Sequence, residues 1–189
     1  MRNAWPLAAV LLLAQPAGVN QVLAGAPSMQ SASVELDTLF AKLRDPAVGN
    51  DAIRIEQQIW QLWLHAGSDK DNKTLALAIL AINIGDFKRA DTMLTELVKA
   101  APDFAEAWNK RATLYFMMGR YDDSLADIKK VLDLEPRHFG ALGGRGMIYQ
   151  RLGRETDALA AFKDVLTVNP NSPSARQAVQ LLEKDLPDL

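Results

Sequence analysis

The stretch that decides the fold is Phe139–Ser172, FGALGGRGMIYQRLGRETDALAAFKDVLTVNPNS. In its second half Ala158, Phe162, Val165 and Leu166 fall at i, i+4, i+7 and i+8, which is one face of an α-helix. Gly153 separates the halves, and glycine tolerates the left-handed conformation that ends a helix. Pro170 closes the stretch, because proline cannot continue a helix beyond its first turn. Helix, glycine, helix, proline make one two-helix unit.

The same columns recur upstream at a spacing of 34 residues: Pro102, Pro136 and Pro170; Gly85, Gly119 and Gly153; Ala90, Ser124 and Ala158; Leu94, Ile128 and Phe162; Leu97, Val131 and Val165. Ala90, Leu94, Leu97 and Val98 repeat the apolar face, and the small residue that opens it lets two helices approach closely. The period defines three units, 71–104, 105–138 and 139–172. Downstream, residues 173–189 read as a capping helix. Ala178, Leu181, Leu182 and Leu186 share a face within Ser174–Leu186 and would cover the exposed end of the last unit. Upstream, residues 34–70 read as a degenerate helix pair, Val34–Leu43 and Ala52–Leu64, interrupted at 44–49. Trp60 and Trp63 fall in the columns of Leu94 and Leu97, so they are expected to pack in the core against the first repeat, in preference to serving as a ligand platform. Residues 25–33 read as a flexible linker.

These columns resemble the tetratricopeptide repeat family, whose pattern sets a large and a small residue and a tyrosine in the first helix, then Ala, Phe and Pro. Residues 139–172 show Leu142, Arg145, Gly146, Tyr149, Ala158, Phe162 and Pro170; residues 105–138 show Trp108, Arg111, Ala112, Tyr115, Ser124, Ile128 and Pro136. Residues 71–104 are weaker, with Thr74, Leu77, Ala78, Ala81, Ala90, Leu94 and Pro102; Ala81 replaces the aromatic. The resemblance implies an all-α, right-handed superhelical solenoid of helix hairpins.

Composition narrows the function classes. The chain has 189 residues and no cysteine, with 21 Lys plus Arg against 23 Asp plus Glu and a net charge of −2. Phosphate binding needs a concentrated basic excess, so a dedicated nucleic-acid role is not expected. Without cysteine there is no disulfide framework, thiolate metal site, cysteine nucleophile or lipidated cysteine. Residues 1–34 lack acidic side chains and carry a single charge, Arg2. The apolar run Ala4–Ala14, broken by Pro6, is too short to span a bilayer. A basic start, a short apolar run and the small-residue exit Val22-Leu23-Ala24 describe a secretory signal peptide, residues 1–24, cut after Ala24. The expectation is a periplasmic or secreted protein with no stable membrane insertion after cleavage.

No catalytic constellation, cofactor loop or metal set is legible. His65 and His138 are the two histidines. His65 reads as an exposed residue at a helix C-terminus, and His138 as a residue of a solvent-facing loop at a helix start. Asp69-Lys70-Asp71-Asn72 hints at a calcium loop, but that loop needs glycine at its sixth position and glutamate at its twelfth, where Thr74 and Leu80 stand. The reading is a protein without enzymatic activity or cofactor.

The resemblance implies that the first helices of the units line a concave groove. Carried over, the peptide-binding candidates are Asn109, Lys110, Thr113, Phe116 and Met117 in one unit and Gly143, Gly144, Met147, Gln150 and Arg151 in the next. Asn109, Lys110, Gln150 and Arg151 suit a peptide backbone or carboxylate; Phe116, Met117 and Met147 suit apolar side chains. Gly140, Gly143, Gly144 and Gly146 crowd one helix at about 1 kcal/mol each relative to alanine. Gly146 fills the family's small-residue column. For Gly143 and Gly144 two readings stand: room for a ligand backbone at the groove floor, or close packing against a neighbouring unit or a tolerated weak spot. The carboxylate clamp with which some family members hold chaperone tails is missing, since its places hold Leu75, Ile79, Lys110, Gly140 and Gly144. The expected function is a protein–protein interaction scaffold or adaptor of the bacterial cell envelope, with a protein or peptide partner, as a monomer or weak oligomer. The alternatives are an accessory subunit docking on an envelope enzyme through the convex face, and a self-associating structural protein.

Overall fold

The computed structural model describes residues 29–45, 48–49 and 51–185. The expected signal peptide and Leu186 lie outside the described residues. These residues form nine helices in chain order: α1 (Met29–Leu43), α2 (Asp51–Leu64), α3 (Asp69–Asn83), α4 (Phe87–Ala100), α5 (Ala105–Met117), α6 (Tyr121–Leu134), α7 (Phe139–Arg151), α8 (Glu155–Val168) and α9 (Pro173–Asp185). None of them is long and apolar enough to cross a membrane. Helix α1 starts at Met29, inside the segment expected to be a linker.

Glycine sets the turns within the units. Gly85, Gly119 and Gly153 have φ of 79°, 74° and 70°. The next residue's N–H, from Asp86, Arg120 or Arg154, donates back across the turn to the carbonyl of Ala81, Tyr115 or Tyr149 at 2.9, 2.8 and 2.8 Å. Each first helix thus ends in a Schellman turn that satisfies a terminal carbonyl and reverses the chain. Small residues then bring the paired helices together. Ala78 meets the α4 column at Ala90, and both are fully buried. Ser124 keeps its hydroxyl in the core by donating to the Ala112 carbonyl at 2.7 Å. Gly146 faces Phe162 so closely that a Cβ would lie 2.9 Å from three ring carbons.

Each second helix also packs on the next first helix, so α3 to α9 form one continuous stack closed by α9. Leu114 and Ile148, at matching places in α5 and α7, are completely buried, whereas Leu80 in the same column of α3 is 55% exposed. Leu77 and the C-cap residue Ile84 extend a bare stripe along α3 and its end. The reason is the position of α2. It does not lie on α3 as α4 lies on α5.

The α1–α2 hairpin packs instead against the later units. Its core joins Leu39, Phe40, Leu43, Ala52, Ile55, Ile59 and Trp63 to Phe139, Leu142, Val165 and Ala175. The expectation that Trp60 and Trp63 pack on the first repeat is thereby corrected: they are packing residues, but their neighbours lie in the second and third units. Polar contacts fix the seat. Asn169 donates to the Glu56 carboxylate at 2.6 Å, Asn171 to the Leu43 carbonyl at 3.1 Å, and Arg137 pairs with Asp37 at 2.7 Å while lying over Phe40.

Candidate functional site

The site is assembled at the junction of the second and third units. Glu106 is the second residue of α5, and His138 precedes α7 as its N-cap. The expected solvent-facing histidine is instead wholly buried. Its Nδ1 accepts the Ala141 N–H at 3.1 Å, so its proton sits on Nε2 and is donated to Glu106 at 3.0 Å. Asn109 donates to both Glu106 oxygens at 3.1 and 3.2 Å, and the Lys110 ammonium lies 2.8 Å away. Burial by itself would raise the Glu106 carboxyl, but Lys110 and the His138 N–H overcome it and hold the group at about 2. The result is an ionised carboxylate inside the protein with every side-chain partner supplied by its own stack.

The hairpin closes over this network. Trp63 stacks on the His138 ring with centroids 4.0 Å apart and planes 10° from parallel. Trp60 meets His138, Phe139 and Trp63 edge-on at 5.4, 5.4 and 5.3 Å. Lys110 lies over the Trp60 ring at 5.1 Å. Trp60 fits because residue 140 is glycine: a Cβ there would stand 2.6 Å from the indole. Sealed in this way, the Glu106–His138 pair meets no solvent, so its chemistry is structural.

Of the ten groove candidates, Asn109 and Lys110 are committed to Glu106, and the Thr113 hydroxyl donates to the Asn109 carbonyl at 3.0 Å. Phe116 packs beside Tyr121, and Met147 lies against the α8–α9 core. Gly143 and Gly144 are half-buried, with a Cβ at 4.0 Å from Val165 and 3.5 Å from Ile128, ordinary contact distances. Close packing therefore does not account for either. Met117 and Arg151 are exposed and Gln150 is half-buried. The candidates thus divide into those drawn into the covered network around Glu106, Lys110 and Gly140 and those left accessible, from Phe116 and Met117 to Met147, Gln150 and Arg151.

Sequence reasoning missed the Glu106–His138 pair. The available signal was the column two places after the proline, Phe104, His138 and Ser172, all of which are buried. Phe104 marks that column as interior, and a histidine within it as a core group needing a partner. His65 does lie exposed at the end of α2, its Nδ1 2.8 Å from the Gln61 carbonyl. Among the described residues no group of three or more His, Asp or Glu is placed to hold a metal ion.

Known proteins resemble this arrangement. The tetratricopeptide repeat profile matches residues 105–138 and 139–172. A TPR repeat-containing protein of Rhizobium etli is 38% identical over 125 residues, which are 66% of this chain and 61% of that protein; the chain therefore spans about three-fifths of that relative's length. Among solved structures, the first TPR of Spaghetti (RPAP3) bound to the HSP90 peptide SRMEEVD superposes with a TM-score of 0.60 at 20% identity, over 65% of this chain and 97% of that one. MamA superposes with a TM-score of 0.58 at 21% identity, over 71% and 76%. At these identities the two structures speak to the fold.

Proposed function

We propose, given that this chain is a tetratricopeptide-repeat protein, that it is a non-catalytic interaction scaffold that captures a peptide or helix on its open inner wall. The observation that carries the reading is the exposure of Met117 and Arg151, with half-buried Phe116, Met147 and Gln150, at matching places on the first helices of consecutive units. Methionine adapts to differently shaped apolar side chains, and the Arg151 guanidinium offers paired donors to a carboxylate or backbone carbonyl. One solved neighbour, the first TPR of Spaghetti (RPAP3), is bound to the HSP90 peptide SRMEEVD. The test is selection from a displayed peptide library, repeated with Met117→Glu combined with Arg151→Glu. Enrichment that vanishes in the double variant but survives Lys130→Glu, an exposed change on α6, supports the wall. Equal loss in both refutes it.

The bare stripe Leu77, Leu80 and Ile84 favours a second reading, self-association through an imperfectly capped end. Light scattering decides it: a mass independent of concentration removes it. The compartment we propose is the bacterial cell envelope, on the strength of residues 1–24. A mature N-terminus at Gly25 in the exported fraction is the expected result, and retention of Met1 in the cytosolic fraction overturns it.

A further inference from the structure

The α2 helix occupies part of the wall that a partner would use, and its contact is imperfect. Its buried stripe, Ile55, Ile59 and Trp63 at i, i+4 and i+8, lies on Phe139, Leu142 and Val165. Trp60 stands on Gly140, a glycine retained inside a helix where any side chain would collide with the indole. The seat therefore has a shape made for an indole. Yet the Trp63 indole N–H is buried and, among the described residues, has no hydrogen-bond partner, which weakens the contact. Glu56 is drawn into the interface with the Asn169 amide as its hydrogen-bond donor, and burial raises its carboxyl above the ordinary range. A contact with a shaped seat, one unpartnered indole N–H and one half-buried carboxylate held by a single amide is specific without being tight.

We propose that the surface formed by Phe139, Gly140, Leu142 and Val165 is a helix-docking site, that α2 is its resident occupant, and that the scaffold's external partner is an amphipathic helix carrying an aliphatic–indole stripe like that of α2. This rests on the interaction-scaffold reading and names the partner's chemistry. An occupant tethered in cis competes at an effective concentration on the order of millimolar. It lowers the apparent affinity for any external helix by the fraction of time the seat is empty. The chain is then closed until a helix of matching stripe displaces the hairpin.

The probe is a fluorescent peptide of residues 51–64, held helical by an i,i+4 staple between positions 54 and 58 on its solvent face. It is titrated into three full-length proteins: the unmodified chain, Trp60→Ala with Trp63→Ala, and the same pair with Gly140→Leu. The double variant is expected to bind at least tenfold more tightly than the unmodified chain, and the triple variant to lose binding. Equal affinity for the first two proteins, no binding to either, or undiminished binding to the triple variant overturns the proposal. Hydrogen exchange on the unmodified chain guards against a double variant that fails to fold. Amides of 51–64 are expected to open at lower free energy than those of 105–168, and exchange of both only through global unfolding is equally fatal. Library enrichment that depends on Met117 and Arg151, without stapled-helix binding, leaves the scaffold reading standing and removes this one.

Discussion

Leu114 and Ile148 are sealed by the helix that precedes each of them, while Leu80 in the same column is bare because α2 lies on Phe139 instead. The stack from α3 to α9 and the hairpin α1–α2 thus use similar helices under different rules. In the stack the contacts run within a unit or between adjacent units, and each unit repeats the last unit's solution: a glycine turn, a small residue, an apolar face. The hairpin reaches across about a hundred residues, from Asp37 to Arg137 and from Glu56 to Asn169, and nothing in it recurs. Local repeated contacts give a stack whose stability is a sum over neighbours. A single non-local interface gives a part that can open on its own while the rest stays folded.

The sharpest way to break the distinction is at the stack's own buried carboxylate, whose partners His138 and Lys110 carry the hairpin's tryptophans. Glu106→Ala leaves the buried His138 N–H without its acceptor and the half-buried Lys110 ammonium without its partner, a loss on the order of 3 kcal/mol. It is expected to lower the denaturation midpoint of the whole chain. The pH dependence follows from the depressed group. With its carboxyl held at about 2 against an ordinary 4.5, Glu106 adds stability that is complete above about pH 4.5 and is lost as pH falls toward 2. Denaturant titrations between pH 7 and pH 2.5 should show that decline in the wild type and a flatter profile in Glu106→Ala.

Trp63→Ala should divide the molecule. Removing a buried indole costs about 3 kcal/mol, and here the loss falls on the hairpin. Amides of 51–64 are expected to lose protection while those of 105–168 keep theirs. A uniform loss across both segments would show that the hairpin and the stack are one cooperative unit.

The glycines test the stack in two directions. At Gly119 φ is 74°, a conformation that costs an L-residue about 1 kcal/mol, so Gly119→Ala is expected to destabilise by about that amount. Gly144 is helical with ordinary space around a Cβ, so Gly144→Ala should stabilise by about 1 kcal/mol. Opposite shifts in thermal midpoint are the expected pair.

These contrasts also explain what could be read in advance. The period of 34 and its columns fixed three units, their turns and the small-residue contacts, because stacked repeats turn a three-dimensional packing problem into a comparison of columns. The hairpin's helices were legible from their apolar spacing. Its docking was not, since Trp60 and Trp63 sit in register with Leu94 and Leu97 and the register points to α3. Gly140 was one of four glycines crowded in α7, and nothing in the sequence marked it as the one on which an indole stands. Asn109 and Lys110 were assigned to a ligand because the column was known and the neighbour across the junction was not. His138 hid in the same way, a polar residue in a column whose interior character was declared by Phe104.

The smallest expected effect separates the two regions by acid. Glu56 is raised by burial in the hairpin seat, so its ionised form opposes docking, and that opposition sets in as pH rises through the ordinary carboxyl value. Lowering the pH from 7 toward 4.5 is therefore expected to tighten the hairpin, while Glu106, held far lower, stays ionised and its contribution to the stack intact. Glu56→Gln keeps an amide opposite Asn169 and removes the charge. It should raise the protection of amides 51–64 slightly at pH 7 and abolish its increase on acidification. If acid loosens the hairpin in the unmodified chain, the buried carboxylate is not what limits its hold, and the unpartnered Trp63 N–H is left as the flaw through which α2 is released.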